Sequence, residues 1–275
     1  MRMKFISSKT RWMAVAVGVP LLGGCASFSP DGGLAKVDAL AKERAGLSVQ
    51  RIQTEQEAAQ ASEELARLLA QPLDADAAVK IALLNNRGLQ ASLADLGIAE
   101  ADLVQAGRLR NPGFTFGRST QGDEREYARG FLFDIMSLLT LPKRTEIERR
   151  RFEQTQLRLA NEVLRLASDT RKAFFSAVAA QETVNYLRQA KAAAEAGAEL
   201  TARMAKAGSA SQLRHQREQA FHAEVAAQLA RAQQAAASER ERLTRLLGLG
   251  GRQAAFLLPA RLPDLPATPL ESARL

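Results

Sequence analysis

The sequence predicts a mainly α-helical chain of long antiparallel coiled-coil helices, interrupted once by a two-stranded β-hairpin. Three observations carry this reading. The stretch from Lys143 to Lys206 contains no proline and keeps a helical period. Residues around Phe114–Ile135 alternate apolar and small or polar side chains at period two, the mark of a strand with two different faces. Aromatic residues make up only 5% of a chain rich in Ala, Leu, Arg, Gln and Glu, the composition of long helices packed side by side.

The amino terminus carries Arg2, Lys4, Lys9 and Arg11 without an acidic residue, followed by the apolar run Trp12–Leu22. That run is about 11 residues, within the ~7–15 of an export-signal core and short of the ~20 of a spanning helix. Residues 1–24 therefore read as an export signal, which its last residues then mark as a lipoprotein signal peptide. The run ends in Leu22-Gly23-Gly24-Cys25, which resembles the bacterial lipobox, where a diacylglycerol is joined to the cysteine thiol and the peptide is cut just before it. Cys25 is the only cysteine, so it has no internal disulfide partner. The competing reading is a small buried cysteine. Ala26 follows in place of an aspartate that would resemble an inner-membrane retention signal, which makes the outer membrane the expected destination. The formal charge of +8 includes the four signal cations and falls to +4 without them. Basic and acidic residues are interleaved along helices, so no nucleic-acid partner is expected.

Residues 25–73 form a tether followed by helices. Ala26–Gly33 has no periodicity, Leu34–Ala70 is helical with a break possible at Gly46, and Pro72 closes it. Asp74 or Asp76 is placed to cap a helix over about 76–109, with Val79, Leu83, Leu93, Leu96 and Leu103 as its apolar members and Asn111-Pro112-Gly113 as its end. The hairpin is expected over 113–137. Phe114 and Phe116 share one face of the first strand, and Tyr127, Phe131, Phe133 and Ile135 one face of the second. Ala128, Gly130 and Asp134 take the opposite side, and Ser119–Glu126 is read as a polar loop between the strands. Such a hairpin suits either a sheet with one side toward lipid or a soluble globular domain; Arg129 and Leu132 fit the lipid version poorly.

After Leu141-Pro142 the long helix begins. About 64 residues at ~1.5 Å each would reach ~96 Å, so it must pack along partners. Phe152, Leu159, Val163 and Leu166, then Phe174 with Val178 and Val184 with Leu187, trace a coiled-coil seam. Ala207-Gly208-Ser209 turns the chain, with Ser209 or Ser211 as the next cap, and a shorter helix returns to about Leu247. From Gly248 on, Pro259, Pro263, Pro266 and Pro269 give a linker, residues 251–275.

Several stretches together resemble the outer-membrane efflux protein (TolC) family in its lipoprotein form. They are Ala77–Asn86, Leu109–Pro112, Leu138–Pro142, Ala173–Glu182 and Ala207–Ser209, in this order within about residues 74–250. The resemblance implies that residues 74–250 are one repeat of a conduit, with the hairpin contributing to an outer-membrane β-barrel and the helices to an α-barrel segment in the periplasm. It further implies a homotrimer, with a periplasmic adaptor and an inner-membrane efflux pump as partners and outer-membrane lipid around the barrel. Gly208, Ser209, Ser211 and Leu213 would lie at the tip that meets the adaptor; an ordinary tight helical turn explains the same residues. Arg214 and His215 follow where family tips often carry an acidic residue. Family members hold two tandem repeats and this sequence shows one, so a truncated member is expected, with a hexamer of half-length chains as the other possibility.

No cofactor and no enzymatic activity are expected: the sequence holds no Gly-rich phosphate loop, nucleophile elbow or catalytic triad. His215 and His222 are seven residues apart, about 10 Å on a helix, too far to share a metal without further ligands. The remaining alternative to a conduit is a lipid-anchored periplasmic coiled-coil scaffold without a pore. Residues 113–137 discriminate the two, because a scaffold has no need of amphipathic strands.

Overall fold

The computed structural model describes residues 27–264; the export segment, Cys25 and the end of the tail lie outside the described residues. The elements are α1 (Leu34–Ala45), α2 (Glu55–Leu69), α3 (Ala75–Asn85), α4 (Arg87–Ala106), β1 (Gly113–Gln121), β2 (Glu124–Leu132), α5 (Ile135–Lys206) and α6 (Gln212–Leu246), then a 3-10 turn at Gly251–Ala254. The expected class, mainly helical with a two-stranded hairpin, is what the chain adopts. Two compact units are present, one of residues up to Arg44 with Ser92–Ala160, the other of Ala45–Ala91 with the chain from Asn161 onward.

In the first unit the segment that leaves the export region is held by a carboxylate. Glu100 is only 6% exposed. Its Oε1 accepts from the Ser29 backbone N–H at 2.6 Å and from the Ser29 hydroxyl. Gln156 Nε2 donates to the Gly33 carbonyl at 2.9 Å, so α5 adds a second hold. A buried carboxylate without these donors would carry an unsatisfied charge, which makes Ser29 the fixed point nearest Cys25 in sequence.

Two expectations about this unit need correction. The strands zip to a two-residue turn, Gly122-Asp123, so Ser119–Glu126 is mostly paired strand and not a loop. Gly122 alone has positive φ, +65°, the demand of a type II′ turn at its first central position. The second strand also ends at Leu132, and Asp134, expected on the small face of a strand, caps α5 instead. Its carboxylate accepts from the Ser137 N–H at 2.9 Å and from the Ser137 hydroxyl at 2.5 Å. The bonds from Ser137 hold the Asp134 carboxyl below its usual range, aided by Arg110. That cap starts the helix at Ile135, eight residues ahead of Lys143, with Pro142 inside it. Pro142 removes one N–H in the second turn, and the capped turn before it carries the helix through.

The second unit holds a core of Leu65, Leu73, Ile81, Phe174, Val178, Leu243, Leu247 and Phe256 with small residues between them. Asp74, not Asp76, is the cap of α3, accepting from Ala77 N–H. The helix expected over 76–109 is two helices, because Asn86 leaves the helical region and its Oδ1 caps α4 by accepting from Leu89 N–H at 3.0 Å. Asn86 and its neighbour Asn85 also close the end of α6. Asn85 Nδ2 donates to the carbonyls of Leu247 at 3.1 Å and Gly248 at 2.8 Å, and Asn86 Nδ2 donates to Leu246 at 3.0 Å. These are carbonyls that a helix end leaves without partners. The stretch after Gly248, expected as a linker, packs back as far as it is described. Phe256 is buried, Leu257 accepts from Leu73 N–H at 2.9 Å, and the Arg240 guanidinium lies over the Phe256 ring and donates to the Ala254 and Phe256 carbonyls.

Along α5 the seam is real but built from smaller residues than the large apolar ones suggest. Within the second unit Val163, Ala167, Thr170, Ala173 and Ala177 are buried at steps of three and four, with Phe174, Val178 and Val184 buried beside them, while Phe175 and Tyr186 face out. Alanine and threonine at such positions let helix backbones approach closely.

Candidate functional site

Two places combine exposure with a defined geometry: the β-hairpin in the first unit and the helical turn in the second. In the hairpin, directly paired residues share a face, so the register assigns every side chain. One face carries Phe114 with Phe131, Phe116 with Arg129, Arg118 with Tyr127, and Thr120 with Arg125. The other carries Gly113 with Leu132, Thr115 with Gly130, Gly117 with Ala128, and Ser119 with Glu126. The aromatic side is continuous: Phe116 and Tyr127 have ring centroids 6.2 Å apart, and Phe131 stacks on Phe133 at 6.5 Å.

Nothing in the unit covers this face. Phe114 is 70%, Phe116 60% and Phe131 69% exposed. An exposed aromatic stripe of this kind marks a surface meant for an apolar environment or a partner. Just after it, Ile135, Met136 and Leu139 at the start of α5 are exposed as well. The two strands form a complete sheet among the described residues, so the outer edge of each presents unpaired N–H and C=O groups. Nine residues at ~3.3 Å give each strand about 30 Å, which at the usual tilt matches a ~25 Å apolar band.

Sequence reasoning found the aromatic side chains and the misplaced Arg129, and missed that Arg118 and Arg125 lie on the same face. The signal was present in the Gly122-Asp123 pair, which as a two-residue turn fixes the whole register.

At the other site Gly208 has φ +73° and nothing within 4 Å of where a Cβ would stand. Its N–H donates to Ala205 at 3.1 Å, and the Ser209 N–H donates to Met204 at 2.9 Å, closing α5 in a Schellman motif. Ser209 adds its hydroxyl to Met204 at 3.0 Å, while Ser211 is the cap of α6, its Oγ accepting from Arg214 N–H at 3.2 Å. The two serines therefore split the roles left open in the sequence. Leu213 is 57% exposed one residue into α6. The four tip residues come together as one small, solvent-facing turn. Among the described residues no group of three or more His, Cys, Asp and Glu side chains comes close enough to hold a metal. No helix among them is long and apolar enough to cross a membrane.

No protein-family model matches the sequence, and no curated protein is similar to it. Solved structures are. A membrane protein from Pseudomonas aeruginosa matches with a TM-score of 0.55 at 22% identity, over 70% of this chain and 45% of its own. The outer-membrane channel OprN matches with a TM-score of 0.54 at 21% identity, over 88% of this chain and 53% of its own. The fold is that of an outer-membrane channel. The chain spans about half the length of the solved channel structures it matches.

Proposed function

We propose that this chain supplies one repeat of an outer-membrane efflux conduit, in which the β1–β2 hairpin contributes two strands to a barrel and the α5–α6 hairpin extends through the periplasm toward an adaptor and an inner-membrane pump. The observation that carries the proposal is the hairpin itself: uncovered aromatic residues on one face, mostly small or polar residues with Leu132 on the other, and two open edges. The OprN likeness supports a channel and does not point toward an enzyme.

The test uses Arg129 as a protease site. In vesicles carrying the assembled protein, a hairpin embedded as a barrel segment keeps trypsin from cutting after Arg129. Cleavage at the rate seen without membranes would favour the pore-less scaffold.

The anchor belongs to the same proposal. Cys25 carries the diacylglycerol, and Ser29, fixed to Glu100, holds the start of the mature chain against the first unit. Four residues from Cys25 to Ser29 span at most ~14 Å, so a lipid on Cys25 would hold Ser29 close to the membrane surface. Cys25→Ala is expected to leave the precursor uncleaved and the protein off the outer membrane. Labelled palmitate that is still incorporated by the variant would contradict this.

The tip at Gly208, Ser209, Ser211 and Leu213 is the adaptor contact in this proposal. Because a Cβ at Gly208 meets open space, a larger residue there costs folding only its positive-φ strain, about 1 kcal/mol. A bulky Gly208 variant should therefore lose adaptor docking while its thermal midpoint moves by a few degrees. Photo-crosslinkers at Ser209 and Ser211 are expected to capture the adaptor; capture only from positions on the helix flanks would contradict the assignment.

A further inference from the structure

The hairpin separates its charges by face. Arg118, Arg125 and Arg129 all share the aromatic side, whereas Glu124 and Glu126 pair across to the other. With Asp123 in the turn, the segment holds three bases and three acids, so as a whole it has no charge preference. Any preference must come from the segregation. Arg118 and Arg125 are diagonal neighbours near the turn, within reach of one another's side chains at such a spacing. Both are exposed, and neither makes an ion pair among the described residues. Arg118 lies over the Tyr127 ring, 5.9 Å from its centroid, which holds it on this face.

Two guanidinium groups side by side without a counter-charge repel each other, and a phosphate between them relieves that repulsion while accepting the forked hydrogen bonds that guanidinium offers. Resting on the reading of the hairpin as a membrane segment, we propose that Arg118, Arg125 and Tyr127 form a binding site for the phosphate of an outer-leaflet lipid headgroup. The order of residues from base to turn supports a lipid occupant: Phe131 with Phe114 come first, then Phe116 with Arg129, then Tyr127 with Arg118, then Arg125 with Thr120. Two rings give way to a ring beside a cation, twice, and last to a cation beside a hydroxyl, so apolar area falls toward the turn as on passing from acyl chains to headgroups.

The single tryptophan of the sequence is Trp12, in the export signal, so Phe116→Trp in the mature chain gives a lone fluorescent reporter on the aromatic face. The full mature chain is titrated with phosphatidylcholine vesicles and with the same vesicles containing lipid A. A blue shift with both, and binding to the lipid A vesicles about thirtyfold tighter at roughly fivefold per arginine, is the expected result. The Arg118→Gln/Arg125→Gln double variant should bind phosphatidylcholine unchanged and lose the preference. A preference that survives in the double variant, or is missing in the parent, overturns the site. Loss of the preference on adding inorganic phosphate at constant ionic strength overturns the lipid as its occupant. The absence of any blue shift with phosphatidylcholine is a separate outcome: it removes the membrane reading on which the site rests and the site with it.

Discussion

Gly248→Ala is expected to destabilise the second unit by about 2–4 kcal/mol, a large effect for a single methyl group. Gly248 has φ +68°, and a Cβ built on it would stand 2.4 Å from the Asn85 carbonyl oxygen and 3.1 Å from the Asn86 Cα. Both contacts are backbone and cannot swing aside. The same residue ends α6 in a Schellman motif, its N–H donating to Arg245 at 3.1 Å while Leu249 N–H donates to Thr244 at 3.1 Å. Displacing it also pulls the Leu247 and Gly248 carbonyls away from the Asn85 amide. Gly208→Ala is the matched control: its φ is as positive and its surroundings are empty, so only the backbone term of about 1 kcal/mol is lost. Urea denaturation of both variants separates the cases, and equal midpoints would show that the close approach at Asn85 is not real.

The second large effect concerns assembly. Two strands per chain give a trimer six, fewer than the ~8 of the smallest single-chain barrels, and an open sheet edge in lipid leaves N–H and C=O groups unpaired at several kcal/mol each. The 275-residue chain alone is therefore expected to show no steady conductance as a trimer. Twelve strands require six copies or a second set of strands from elsewhere. Light scattering in detergent combined with planar-bilayer recording tests this; a stable trimer with steady openings would contradict it.

Much of this architecture is legible in the sequence because it rests on periodicity. The long helices, the turn at Gly208 and the aromatic parity of Phe114, Phe116, Tyr127 and Phe131 are all properties of one segment read by itself. What escapes such a reading depends on a partner distant in sequence or on one short-range bond that outweighs a general rule. Asn85 and Asn86 look like ordinary helix residues until α6, some 160 positions later, brings its carbonyls to them. Pro142 suggests a helix start, yet Asp134, bonded to Ser137, has already capped the helix about two turns earlier. The Pro-rich tail looks like a linker because the burial of Phe256 beneath Arg240 cannot be seen from the tail's own composition. At the tip the sequence offers Ser209 or Ser211 as the next cap, and the geometry gives that role to Ser211 while Ser209 bonds back to Met204. Of the hairpin arginines, Arg118 and Arg125 are assigned to the aromatic face only once the turn fixes the register.

The central claim is that the β1–β2 hairpin is a barrel segment with its aromatic face in lipid. Cys25, once lipidated, offers no free thiol, so a cysteine placed singly at each position from Phe114 to Phe131 becomes the only reactive one in the mature chain. Labelling outer membranes of the producing cells with a charged maleimide should alternate at period two. Positions 115, 117, 128 and 130 react, while 114, 116, 127 and 131 stay protected until detergent is added. Uniform labelling along both strands would contradict the account.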